Sequence, residues 1–133
     1  MLRILTISVP LLLATACTQV EGSSNYSERQ AQKLADALEG MQPGETRRCI
    51  DKVRVNRVDS AAGKFLFVQG RNKVAVTDAT GCPGAAHDDL LVFETAVSGS
   101  YCSGDIVHTR SRTGGMLTGT CVLREFTEYT RPE

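Results

Sequence analysis

The 133-residue sequence has no tryptophan, only 5% aromatic residues, four prolines and two histidines. Without Trp, and with few rings, the interior has to be built mainly from Val, Leu, Ile and Ala, with Phe65, Phe67, Phe93 and Phe126 as its large pieces. Net charge is lacking too, with 15 basic residues against 15 acidic ones, which removes the electrostatic reason to expect a nucleic-acid partner. No apolar run is long enough for a permanent membrane span. There is no C-x-x-C, so neither a zinc knuckle nor a dithiol redox centre is expected. There is also no G-x-S-x-G elbow and no glycine-rich phosphate loop, since Gly114-Gly115 reads as a hairpin turn with no helix after it.

The most specific feature present is the N-terminus. Arg3 supplies one positive charge, Ile4 to Leu13 forms a short apolar core, and Ala14 and Ala16 place small residues before Cys17. This arrangement resembles a bacterial lipoprotein signal, which implies removal of residues 1–16 and a lipid-modified Cys17, where the thiol is needed to carry the diacylglyceryl group. Several acyl chains on one residue anchor a protein stably, whereas one does so only marginally. By resemblance to Gram-negative lipoproteins, Thr18 in place of an aspartate after Cys17 implies sorting to the outer membrane, facing the periplasm. Residues 17–26, with Gly22-Ser23-Ser24, read as a flexible tether, and residues 27–133 as one domain. Arg3 leaves with the signal, so the mature chain of 133 − 16 = 117 residues carries 14 basic and 15 acidic groups.

Four cysteines remain beyond Cys17, at Cys49, Cys82, Cys102 and Cys121, spaced by 33, 20 and 19 positions. An even set at wide spacing in an exported domain predicts two disulfides. Three connectivities exist. The expected one is Cys49 with Cys121 and Cys82 with Cys102, because Cys49 shares alternation phase with Val53 and Val55, and Cys121 with Leu117 and Leu123, so that both thiols would point inward. Cys82 and Cys102 lie in glycine-rich loops flanking Leu90 to Phe93.

Ser27 with Gln30 forms a capping box, and Ala31, Leu34, Ala35 and Leu38 recur at helical spacing before Gly40, predicting one amphipathic helix. From Cys49 the period becomes two. Strands are expected at 49–58, 64–69, 73–77, 90–95, 105–110, 116–123 and 125–129, with residues 79–89 as a loop. Phe65-Leu66-Phe67-Val68 reads as buried on both faces. The predicted fold class is mainly β, a small antiparallel sandwich or barrel with one N-terminal helix.

Cys49-Ile50, Cys82-Pro83-Gly84, Tyr101-Cys102-Ser103-Gly104-Asp105-Ile106-Val107 and Gly119-x-Cys121-x-Leu123-x-Glu125-Phe126-Thr127-x-Tyr129 resemble, in this order, a family of small proteobacterial lipoproteins known as domain of unknown function 6491. The resemblance covers residues 49 to 129 and implies export, disulfides and a small β domain. It brings no activity.

Candidate chemistry is sparse. His87-Asp88-Asp89 could hold a hard cation, but three adjacent residues cannot all turn toward one ion. Ser103, Asp105 and His108 have the residue types of a hydrolase triad, yet Asp105 is expected to accept backbone hydrogen bonds in the Cys102–Asp105 turn. Basic residues cluster at Arg47-Arg48, Arg71 with Lys73, and Arg110 with Arg112, and a shared face of them could take acidic glycans or lipid headgroups. The expected function is a noncatalytic envelope binding module without cofactor or metal, reaching the membrane through its lipid and meeting an envelope protein or glycan. The alternatives are an inhibitor of an exported hydrolase, presenting Ser98 to Tyr101, and a small hydrolase using His108.

Overall fold

The computed structural model describes residues 21–133; the expected signal segment and Cys17 lie outside them. The chain forms a helix α1 (Glu21–Ala37) and ten strands: β1 (Gln42–Arg47), β2 (Cys49–Asp51), β3 (Arg57–Ala61), β4 (Lys64–Gln69), β5 (Lys73–Asp78), β6 (Leu90–Glu94), β7 (Ser100–Cys102), β8 (Ile106–Arg110), β9 (Leu117–Val122) and β10 (Phe126–Thr130). All pairings are antiparallel and make a five-stranded sheet β1-β10-β5-β4-β3, a three-stranded sheet β6-β8-β9 and a short ribbon β2-β7. The fold is therefore the expected antiparallel β class with one helix and two disulfides.

The five-stranded sheet is covered on both sides, and β4 shows why. Phe65 and Phe67 point to one face, where they join Ala75, Val107, Leu123 and Phe126 and meet Leu91 and Phe93 of the smaller sheet. Leu66 points to the other face with Ala61, Val74 and Val76, under Leu34, Leu38 and Met41 from the helical end of the chain. A run of consecutive apolar residues in one strand is the sequence signature of such a double-sided burial. Phe67 is fully buried and its ring lies 5.4 Å from Phe126, 5.8 Å from Phe93 and 5.0 Å from Tyr101, mostly in edge-on arrangements that suit the ring quadrupoles.

Several expectations are corrected. The helix begins at Glu21, not at a Ser27 cap, so residues 21–26 of the expected tether are helical. Tyr26 Oη donates to the Ala86 carbonyl, Gln30 Oε1 accepts from Ala62 N, and Leu34 and Leu38 seat on the sheet, while Ala31 and Ala35 face solvent. The expected strand over 49–58 is broken. Asp51 accepts from Val53 N at 2.9 Å and caps a 3₁₀ turn at Lys52–Arg54, and the alternation has the opposite phase to the expected one: Ile50 is buried, Cys49 is exposed and Val53 is 89% exposed. Strand β1 was not expected because Gln42-Pro43-Gly44-Glu45-Thr46-Arg47 has no apolar alternation. It is an exposed edge strand held by backbone pairing to β10 across an irregularity between Pro43 and Thr46.

The disulfide pairing is also corrected: Cys49 joins Cys102, and Cys82 joins Cys121. The three residues of β7, read from the sequence as loop, pair with β2 so that Cys49 stands opposite Cys102. Cys82 opens the 3₁₀ turn Pro83–His87, which lies against β8 and β9 and so meets Cys121.

Candidate binding cleft

Where the β2-β7 ribbon meets the edge of the five-stranded sheet, the chain leaves a cleft of about 300 Å³. Its wall comes from strand ends: Arg47 closes β1, Gln69 closes β4, Lys73 opens β5, and Asp51, Arg54 and Ser100 come from the ribbon and its 3₁₀ turn. Glu128 of β10 lies at the base, with only 11% of its side chain exposed. A carboxylate so placed needs partners. Lys73 Nζ at 2.8 Å and Arg47 Nε at 3.2 Å provide them. Register accounts for the convergence: Lys73 pairs with Thr130 and Arg47 with Phe126, each two residues from Glu128, so both cations reach it as diagonal cross-strand neighbours.

Three cations and two carboxylates line the cleft, and Arg47 also holds Glu45, just outside the lining, at 3.1 Å. Arg54 is the least engaged, 73% exposed and 3.8 Å from Asp51. Gln69 also lines the cleft. Its Nε2 is buried with no hydrogen-bond partner, the one such side-chain atom among the described residues. Being buried, that nitrogen is closed to a ligand in the cleft and belongs to the packing beneath its wall. The cleft therefore offers the loosely held guanidinium of Arg54 to an anionic group.

The remaining sequence candidates go elsewhere. Arg47 and Lys73, taken from two different basic clusters, come together here; Arg71 lines another cleft with Arg57 and Arg131, and Arg112 bonds the Asp88 carbonyl at 2.6 Å. His87, Asp88 and Asp89 diverge: His87 stacks on Tyr26, Asp88 lies 3.8 Å from Arg112, and Asp89 accepts from Thr118 at 2.6 Å. Ser103, Asp105 and His108 are not assembled. Asp105 is buried and accepts from Cys102 N (2.7 Å) and Ala96 N (3.0 Å), as its place in the turn predicted. His108 lies on the opposite, outward face of β8, because Val107 and Thr109 are the buried pair. There it meets Glu94 (Nε2 to Oε1, 3.2 Å) and Thr120 (Nδ1 to Oγ1, 3.0 Å), residues that only the register of β6-β8-β9 places beside it. This carboxylate, imidazole and hydroxyl lie on an open sheet face.

Of the Ser98 to Tyr101 segment, Ser98 and Gly99 are exposed, whereas Tyr101 turns inward against Phe67 and Phe93 with Lys52 Nζ 5.0 Å from its ring. Burial raises the Tyr101 phenol above its ordinary value.

No protein-family model matches the chain, and no curated protein or solved structure is significantly similar to it.

Proposed function

We propose that this chain is an exported, lipid-anchored envelope protein of the small lipoprotein family it resembles, held at the outer membrane through Cys17. In this reading its domain is a noncatalytic binding module whose cleft takes an acidic, hydroxyl-bearing ligand of glycan type. The observation that supports the reading is Arg54 in the lining of this cleft, 73% exposed and 3.8 Å from Asp51. An acidic sugar supplies a carboxylate for Arg54. The disulfides agree with export, since they use all four downstream cysteines and leave Cys17 as the odd thiol of five.

The test is titration of the detergent-solubilised full chain with peptidoglycan fragments and oligogalacturonate, against a neutral oligosaccharide of equal length. Saturable binding of an acidic glycan is expected, weakened about tenfold by Arg54→Ala, a loss equal to about 1.4 kcal/mol. Equal binding of the neutral sugar, or indifference to Arg54→Ala, would refute the reading.

One observation favours a second reading, inhibition of an exported hydrolase. Val97, Ser98 and Gly99 form an exposed tip, braced by the Lys52 N to Gly99 O bond, by Asp105 on Ala96 N and by the Cys49–Cys102 bridge below it. Such a pre-ordered tip suits insertion into a partner's cleft. Co-purification with a hydrolase that is lost on Ser98→Trp, with glycan binding absent, would favour it.

A further inference from the structure

We infer that the outward face of the β6-β8-β9 sheet is the contact surface for a second copy of this chain, laid on it face to face with its strands running in the opposite direction. The five-stranded sheet is covered on both sides, but this smaller sheet is covered on one only. Eight large apolar side chains are exposed among the described residues, and six of them, Leu90, Val92, Ile106, Met116, Leu117 and Val122, belong to this face or to the turn that leads into β9. Apolar side chains gathered on one face rather than scattered mark a surface that meets something.

The charges on the face select the occupant. Cross-strand register arranges it in three rows: Glu94, Ile106 and Val122 at one end, Val92, His108 and Thr120 in the middle, and Leu90, Arg110 and Leu117 at the other. One acid and one base thus stand at opposite ends of the strands. A twofold axis lying along the middle row sets each end row of one copy over the opposite end row of the other. Val122 then meets the second copy's Leu117, and Arg110 lands over Ile106, one strand spacing of about 4.8 Å from Glu94. Two equivalent Glu94–Arg110 pairs form across the axis. A twofold axis along the strands would instead stack Arg110 on Arg110, so the charges admit one orientation and reject the other.

Three short strands give a face smaller than the roughly 800 Å² per partner of a standard interface, so association is weak in dilute solution. Chains confined to one membrane surface by a lipid on Cys17 would be at a far higher effective concentration, a step that rests on the proposed lipid anchor.

The experiment places a photo-crosslinking amino acid at Val122 in the full chain, in the cells that export it. Irradiation is expected to give a product of twice the chain mass, with the crosslink mapped to Met116 or Leu117 of the second copy. Glu94→Arg and Arg110→Glu should each reduce that product at least fivefold at unchanged protein level, and the two together should restore it. Crosslinks to a different protein in place of the doubled species, a doubled species indifferent to the single charge reversals, or failure of the double reversal to restore it, would each overturn the inference. None of these outcomes depends on glycan binding in the cleft.

Discussion

Cys49 and Cys102 stand directly opposite each other in the β2-β7 ribbon, their Cα atoms 4.1 Å apart and their sulfurs bonded, with Cys49 exposed at the surface. Cys82 and Cys121, each 4% exposed, form the other bridge inside the core. The two bridges close loops of 53 and 39 residues, each worth about 4 kcal/mol by loop entropy. Because exchange begins with attack of a thiolate on an accessible sulfur, graded reductant should open Cys49–Cys102 first. Trapping with an alkylating agent and mapping by mass spectrometry checks this, and labelling of Cys82 or Cys121 ahead of Cys49 would contradict it.

Gly84 is expected to tolerate no side chain. A Cβ there would overlap Thr118 Oγ1, Asp89 Oδ2 and Thr109 Oγ1, the group in which Thr118 donates to Asp89 and shares a 3.0 Å hydroxyl contact with Thr109. Gly84→Ala should therefore cost about 2–3 kcal/mol. Gly63→Ala, with nothing within 4 Å and only a φ of +73° to resist it, should cost about 1 kcal/mol. Chemical denaturation of the two variants measures the difference, and equal losses would refute the packing argument.

Tyr101 links stability to alkaline pH. Burial raises its folded-state pKa above the unfolded 10.0, so its contribution is fully present below pH 10 and is lost as the pH rises through the folded value. Tyr101→Phe has no phenol to ionise. Between pH 9 and about 11.5 the variant should lose less stability than the wild type, read as the change in denaturation midpoint for each protein against its own midpoint at pH 7. Parallel losses would show that Tyr101 is not the group responsible.

If the proposed lipid on Cys17 is what holds the protein to the membrane, Cys17→Ala should move it from the membrane fraction to the soluble fraction; no helix among the described residues is long and apolar enough to cross a membrane. Fractionation with immunoblotting reads the outcome. A variant that still sediments with membranes would refute the lipid anchor as the sole attachment.

The sequence by itself determined the β class, the strands from Lys64 to Gln69 and, to within a residue, from Lys73 to Thr77, the presence of a helix ahead of the sheets and the number of disulfides. Those features follow from local period and from cysteine parity, which neighbouring residues carry among themselves. The inward turn of Asp105 was likewise legible, because its partner Cys102 N lies three residues away. Tertiary structure alone decided which cysteine meets which: the pairing hangs on β7, three residues without a periodic signal that pair with β2 from about fifty residues earlier. It alone decided that Arg47, Lys73 and Glu128 converge, and that His108 faces Glu94 and Thr120. Each of these is set by register between strands far apart in the chain, and register is chosen by burial of a shared face rather than by any residue's immediate neighbours.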